Sequence, residues 1–368
     1  MKYISIAIYG AQMVAVRVYF AIKKLYPHIR VHCFLVSSRA GNPSSIDKIP
    51  VIEIENFNRR DMRILIAAPD VHHAEIITGL EKRAFTDYQC IDSKAEAKLL
   101  EAFYADEGRF LPLTSYPPKS AEETEEEEPS SLRESVQTPA APSIAVYMSK
   151  FYKDKPLKNT CKQPCWVHPI QAGTALTGER IADLQDNAGD NISIKNPNYS
   201  ELTASYWVGK HGTADYLGLY HYRRILDVTE KDLCRLRAND IDAVLPYPSM
   251  HCPNIQEHHR RYLKEGDWEA MLLALKELEP SYGEALPKLF KGPYFYNFNM
   301  LIAKREIYKQ YCDWMFPILA RTEELSVPRG SERKDRYIGY LGESLTTLFF
   351  LYHEKDFKIA HTGCFMLI

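Results

Sequence analysis

The sequence predicts an α/β protein in two parts, and three observations carry that expectation. Up to residue 111 short strand-like and helix-like patterns alternate, an acidic proline-rich stretch then interrupts the chain, and a second strand-first α/β pattern runs on to the C-terminus. With 368 residues the chain exceeds what one ordinary core organises, so two domains are the default. The boundaries read as a first domain over 1–111, a linker over 112–142 and a second domain over 143–368.

In the first domain a strand is expected over 3–9, a helix over 12–26, strands over 30–36 and 63–68, a helix over 72–83 and a strand over 88–92. Ser93-Lys94-Ala95-Glu96 reads as a capping box that opens a helix running to residue 104. Such alternation with short connections argues a parallel sheet of Rossmann type with its first turn at Gly10. Gly10-Ala11-Gln12-Met13-Val14-Ala15 keeps just the first glycine of the dinucleotide fingerprint, and Gln12 stands where backbone would approach a pyrophosphate. The second strand ends Leu35-Val36-Ser37-Ser38-Arg39, with no acid for a ribose hydroxyl, so NAD is not the expected cofactor. The pattern over about residues 1–105 resembles degenerate Rossmann-like N-terminal domains of bacterial sugar-modifying enzymes. That resemblance implies either a nucleotide-sugar or protein contact at the Gly10 turn or a docking module without a ligand.

The interruption holds Pro117-Pro118, the acidic run Glu122-Glu123-Thr124-Glu125-Glu126-Glu127-Glu128, and Pro129, Pro139 and Pro142. Self-repelling glutamates and prolines extend such a segment, so the flanking domains are expected to move relative to each other. Strands are then expected over 143–149, 216–220 and 243–245, and helices over 199–210, 268–278, 304–322 and 342–353.

Lys and Arg number 46 against 48 Asp and Glu, and the formal charge of −2 removes the bulk electrostatic argument for a nucleic-acid partner. No stretch approaches the ~18 apolar residues of a membrane span, and Met1-Lys2-Tyr3-Ile4 runs straight into a strand pattern, so a cytoplasmic protein is expected. The eight cysteines are scattered, with Cys161 and Cys165 the one close pair, and read as reduced thiols.

Four segments of the second domain carry polar groups that folding does not require. The first is His168-Pro169-Ile170-Gln171-Ala172-Gly173. The second holds Asp186, Asp190 and Asn191, then Asn196, Asn198, Tyr199 and Glu201. Each Asn taken singly suits a turn or an N-cap; together they offer donors and acceptors for a sugar hydroxyl or a phosphate beside a helix N-terminus. The third, His221-Tyr222-Arg223-Arg224, ends a strand with an imidazole, a phenol and two guanidiniums, equipment for gripping phosphate or carboxylate bidentately. In the fourth, Tyr294-Phe295-Tyr296-Asn297-Phe298-Asn299-Met300 reads as a strand with Asn297 and Asn299 on its polar face, and Glu343 closes Arg336-Tyr337-Ile338-Gly339-Tyr340-Leu341-Gly342-Glu343 at a helix start. There Glu343 either favours the helix dipole or serves as a general base.

Taken in order, Asp-Asn-x-Gly-Asp-Asn-Ile-Ser, Asn-Pro-x-Tyr-x-Glu-Leu-Thr, Gly-Leu-x-His-Tyr-Arg-Arg, Tyr-Asn-x-Asn-Met and Arg-x-x-Gly-x-Leu-x-Glu resemble a bacterial family known as a domain of unknown function, found in capsule, exopolysaccharide and lipopolysaccharide O-chain gene clusters. The resemblance covers about residues 143–366 and implies a GT-A-like glycosyltransferase domain. It further implies a UDP-sugar donor, galactose or galactofuranose, and a glycan acceptor. A lipid-linked acceptor would bring peripheral contact with the inner membrane face; a homo-oligomer is compatible with the sequence. No Asp-x-Asp metal motif ends a strand, and Asp240-Ile241-Asp242 precedes its strand. The diphosphate charge then falls to Arg223 and Arg224, or to Mg²⁺ or Mn²⁺ held by Asp186, Asp190, His221 or another acid. Glu343 leads Glu201 and Asp190 as the base that takes the acceptor proton, and donor contacts are expected from His168, Gln171, Asp190, Asn191, Asn196, Tyr199, Glu201, His221, Tyr222, Asn297 and Asn299. An NAD-dependent nucleotide-sugar oxidoreductase or epimerase, and a non-catalytic assembly protein, are the competing expectations. Because the five motifs all follow the linker, a fragment starting near Pro142 is expected to keep the chemistry.

Overall fold

The computed structural model describes residues 4–118, 142–157, 163–251, 254–257, 260 and 262–367. The acidic run at 122–128, Pro129, Pro139 and Cys161 lie outside the described residues.

The first sheet is built from Ile4–Tyr9 (β1), Ile29–Val36 (β2), Ser45–Ile46 (β3), Ile49–Glu53 (β4), Arg63–Ile66 (β5) and Tyr88–Cys90 (β6), in the order β3-β4-β2-β1-β5-β6. All neighbours pair in parallel except β3 and β4. The order turns back at β1, so the sheet is doubly wound and its crevice lies beyond the carboxyl ends of β1 and β5. Three helices cover it: Met13–Leu25 (α1), His73–Glu81 (α2) and Ser93–Glu107 (α3). In α1, Ala15, Val18, Tyr19 and Ile22 recur at helical spacing and are buried. The capping box is corrected. Asp92 is the N-cap and accepts the Ala95 N–H at 2.8 Å, Ser93 Oγ donates to Asp70 at 2.9 Å, and Glu96 pairs with Arg17 of α1 at 2.7 Å.

The second sheet contains Ile144–Lys150 (β7), Val167–Gln171 (β8), Leu184–Gln185 (β9), Tyr216–His221 (β10), Arg224–Leu226 (β11), Ala243–Pro246 (β12), Leu301–Lys304 (β15), Ile359–Thr362 (β16) and Cys364–Met366 (β17); Ser249–Met250 (β13) and Tyr294–Phe295 (β14) pair apart. Its order is β16-β12-β15-β10-β7-β8-β9, with β11 and β17 attached beyond β10. β10, β7, β8 and β9 run parallel, whereas β15 is antiparallel to β10 and β12. From β7 the chain steps outward to β8 and β9, then returns to place β10 on the other side, so a second switch-point crevice opens beyond the ends of β7 and β10. The helices are Asn196–Tyr199 (α4), Leu202–His211 (α5), Glu230–Ala238 (α6), Glu265–Leu278 (α7), Pro280–Leu289 (α8), Arg305–Leu325 (α9) and Tyr337–Tyr352 (α10).

Three expectations are overturned here. The helix expected over 199–210 is split, because Ser200 adopts φ 50° between α4 and α5. The segment 294–300 is a two-residue strand followed by a turn, with Phe298 at φ 75° and Asn299 at φ 50° in the left-handed region. And α10 starts at Tyr337, so Glu343 lies nearly two turns inside the helix and not at its start. Among the described residues no helix is long and apolar enough to cross a membrane.

The start of the expected linker is packed. Leu113 is buried, Pro112 bridges to His361, and Tyr116 and Pro117 give their carbonyls to Arg235 and Asn239. Aromatic contacts join the two sheets' layers. Tyr104 of α3 stacks on Tyr247 with ring centroids 5.2 Å apart and donates to the Pro248 carbonyl at 3.1 Å, and Phe110 lies edge-on to Tyr294 and His361.

Candidate active site

The β10–β11 hairpin builds the centre of the site. His221 pairs with Arg224 in the ladder, leaving Tyr222 and Arg223 as the two-residue turn. The hairpin therefore brings both arginines to one place, where an uninterrupted strand would send neighbours to opposite faces. His221, Tyr222, Arg223 and Arg224 line a cleft of about 810 Å³ at the switch point, together with Ser149 and Tyr152 from the end of β7 and Glu201, Phe298 and Glu343. Arg224 lies over the Phe298 ring, its guanidinium carbon 4.1 Å from the centroid, and Arg223 leaves its buried Nε without a protein partner. Burial draws the Arg224 guanidinium below its usual pKa, opposed by Glu343. A cation in this state is open to an incoming anion.

Two carboxylates face these cations with opposite tendencies. Burial pushes the Glu343 carboxyl up to about 8, against a hydrogen bond from the Phe298 N–H at 2.9 Å and the pull of Arg224, and with the charge of Glu201 adding to the rise. Burial also raises Glu201, but His221 at 3.5 Å and Asn299, donating at 2.8 Å, outweigh it and hold the carboxyl below its usual value. Carboxyls pushed apart in this way take different roles in proton transfer. Behind Glu201, Asn299 also donates to the Gly339 carbonyl and accepts from Thr346, which bonds Tyr311, so the acid is braced from the core.

Of the expected site residues, Asn196, Glu201, His221, Tyr222, Arg223, Arg224 and Glu343 line the cleft. Asn299 touches it through Glu201. The others are spent elsewhere. Gln171 is fully buried and braces Glu179 and Ile181, His168 packs against Tyr147, and Tyr199 donates to Glu323 at 3.0 Å. Asn191 closes its own turn onto Asn187 and Gly189, Asp190 accepts from Tyr206, and Asn297 accepts from Ser249 beside the cavity between the two units. Asn198 donates to the carbonyls of Gly330 and Arg333. As metal candidates, Asp186 accepts the Gly173 and Thr174 N–H groups and the Ser193 hydroxyl, and the Asp240 and Asp242 pair is bridged by Lys304. Among the described residues no three His, Cys, Asp or Glu side chains converge as a metal-binding set.

Sequence reasoning missed Asp154, Tyr152, Lys334 and Tyr340 on the cleft wall. Asp154 accepts the Phe151 N–H at 2.7 Å; burial raises it, while His221, Arg223 and Arg336 pull it down. Its signal was thin, a lone acid in Lys153-Asp154-Lys155. Arg336 and Tyr340 stood inside a quoted motif without a role.

The first crevice has different equipment. Gly10 takes φ +127°, and a Cβ there would meet the Ala67 carbonyl oxygen at 2.4 Å, so the glycine serves the backbone packing of β1 against β5. Gln12 donates across the crevice to Asn42 at 2.7 Å and to the Gly41 carbonyl. Its space of about 950 Å³ reaches Arg224 and Phe298, which therefore form a wall common to both crevices.

A doubly wound, mostly parallel sheet joined to a mixed sheet with a cationic switch-point cleft defines an α/β protein. The chain belongs to the family described as "Domain of unknown function (DUF4422)", which matches residues 152–355, more than half of its length. It is similar to a solved apo structure of WbbM, a bifunctional glycosyltransferase, at 27% identity and a TM-score of 0.53, over 61% of this chain and 45% of that one. The chain thus matches less than half the length of that protein. No curated protein matches it.

Proposed function

We propose that the chain is a glycosyltransferase that moves a hexosyl group, galactofuranose or galactose, from a UDP-sugar to a growing bacterial surface polysaccharide. The observation that supports it most is the meeting, in one cleft, of the Arg223 and Arg224 guanidiniums with the carboxyl of Glu343. Likeness to a glycosyltransferase structure supports it further.

In this reading the uridine lies at the ends of β7 and β10 beside Tyr152, and the diphosphate meets Arg223 and Arg224. The acceptor hydroxyl attacks the anomeric carbon while Glu343 takes its proton. The bond to the diphosphate oxygen breaks and UDP leaves with the electron pair, its charge met by the two guanidiniums. His221 and Asn299 keep Glu201 ionised beside the reacting carbon, where positive charge develops. Mg²⁺ or Mn²⁺ in that place would have to compete for carboxylates already engaged: Asp154 by Phe151, Glu201 by His221 and Asn299, Glu343 by Phe298. We therefore assign the charge neutralisation to the arginines.

The test is incubation of the full chain with a panel of UDP-sugars that includes UDP-galactose and UDP-galactofuranose, measuring UDP binding and UDP release. Binding and release with one donor, maintained in EDTA, are expected. Absence of UDP binding overturns the reading; release that EDTA abolishes overturns the metal-free part alone.

A further inference from the structure

Tyr340 and Glu343 are three residues apart on α10, so both side chains project from one helix face, and both line the cleft. Tyr340 stands one turn nearer the helix start. Its ring is stacked by Tyr262, with centroids 5.3 Å apart and planes inclined by 23°. Tyr262 is 52% exposed, so the pair sits at the cleft's mouth and not in the core. Lys334 and Arg336 stand on the same stretch of wall, with Arg336 donating to Ser200 at 2.8 Å.

The cleft's lining is shared by the strand ends of β7 and β10, by Arg223 and Arg224, and by α10 with Gly339, Tyr340 and Glu343. A donor nucleotide at the strand ends leaves the α10 side for the second substrate, whose hydroxyl must reach Glu343. The first surface it meets one turn away is an aromatic ring backed by another. Tyrosine suits such a place because it offers an apolar face to the C–H groups of a sugar and a hydroxyl to its rim.

We propose that Tyr340, backed by Tyr262, is the platform on which the sugar ring of the acceptor glycan packs. The inference rests on the transferase reading and deepens it, by assigning an acceptor subsite.

Saturation-transfer NMR on the full chain with saturating UDP tests it, using methyl β-galactopyranoside, methyl β-galactofuranoside and methyl α-mannopyranoside as probes. Ring protons of at least one probe should receive saturation in the wild type. Loss of one aromatic–sugar contact of ~1 kcal/mol should weaken that probe's affinity about fivefold in Tyr340→Ala. Tyr340→Phe should keep most of it, and Tyr262→Ala, at an exposed position that spares the fold, should show an intermediate loss. Calorimetric affinity for UDP should be unchanged in all three. Equal sugar signals in Tyr262→Ala, Tyr340→Ala and wild type, or UDP binding without any sugar signal in the wild type, overturn the platform alone. A fall in UDP affinity on losing Tyr340 would put the ring under the donor and also overturn it. Absence of UDP binding in the wild type would instead sink the transferase reading beneath it.

Discussion

Glu343 is an acid that burial pushes up to about 8, and a general base must be ionised to accept a proton. The rate constant kcat/KM for transfer should therefore climb as pH rises and level off above about 8, and a pH–rate profile of the free enzyme checks it. Glu343→Gln keeps the shape but accepts no proton, so turnover should fall ~10²–10⁴-fold and the rise towards pH 8 should vanish, while calorimetric UDP affinity persists. Near-normal transfer by this variant would hand the role to Glu201; Asp190 is turned towards Tyr206 and does not line the cleft. Arg223→Lys and Arg224→Lys each keep a charge and lose the planar fork, so turnover should fall substantially in at least one while the melting curve is preserved. Wild-type rates in both would reject their part. The arginines were legible in the sequence because two adjacent guanidiniums at the end of an apolar strand have no packing explanation. Asp154 and Tyr340 were not, since what gives each meaning is a neighbour more than 60 residues away, His221 for the acid and Tyr262 for the ring.

The long periodic elements were legible because burial of one face repeats along them: β1, β2, α1 and α9 lie within a few residues of their expected bounds. What failed was local backbone geometry. Alternating Tyr and Asn over 294–300 imitates a strand, yet Phe298 and Asn299 take positive φ, and that turn aims the Phe298 N–H at Glu343 and the Asn299 amide at Glu201. A Cβ on Gly342 would lie 2.5 Å from Leu202 Cδ1, so this glycine lets α10 approach α5. Overpacking of this kind costs roughly 1–3 kcal/mol, so Gly342→Ala should lower the urea midpoint by a corresponding amount with little change in its slope. An unchanged midpoint would show that Leu202 yields at no cost.

At the scale of the molecule the aromatic junction changes what a truncation should do. A fragment starting near Pro142 loses Tyr104 and Phe110, leaving Tyr247, Tyr294 and His361 open to water, so it should melt at lower temperature than the full chain and bind a hydrophobic dye. A fragment as stable and as active as the full chain would return the independence expected from the motifs. His361 gives the same junction a pH dependence. Burial lowers its pKa from 6.5 to about 3, so below 6.5 the unfolded chain takes a proton that the folded chain refuses. Stability carried by this histidine is therefore complete above pH 6.5 and drains away as pH falls towards 3, and His361→Phe should flatten that acid limb in thermal melts. Motif order held none of this, because it records sites along the chain and not the faces that separate units turn to each other. The wall formed by Arg224 and Phe298 carries one more consequence. A molecule entering the first crevice and displacing that guanidinium would change the affinity of the second cleft for an anion, and thermodynamic linkage requires that anion to change the first molecule's affinity by the same factor.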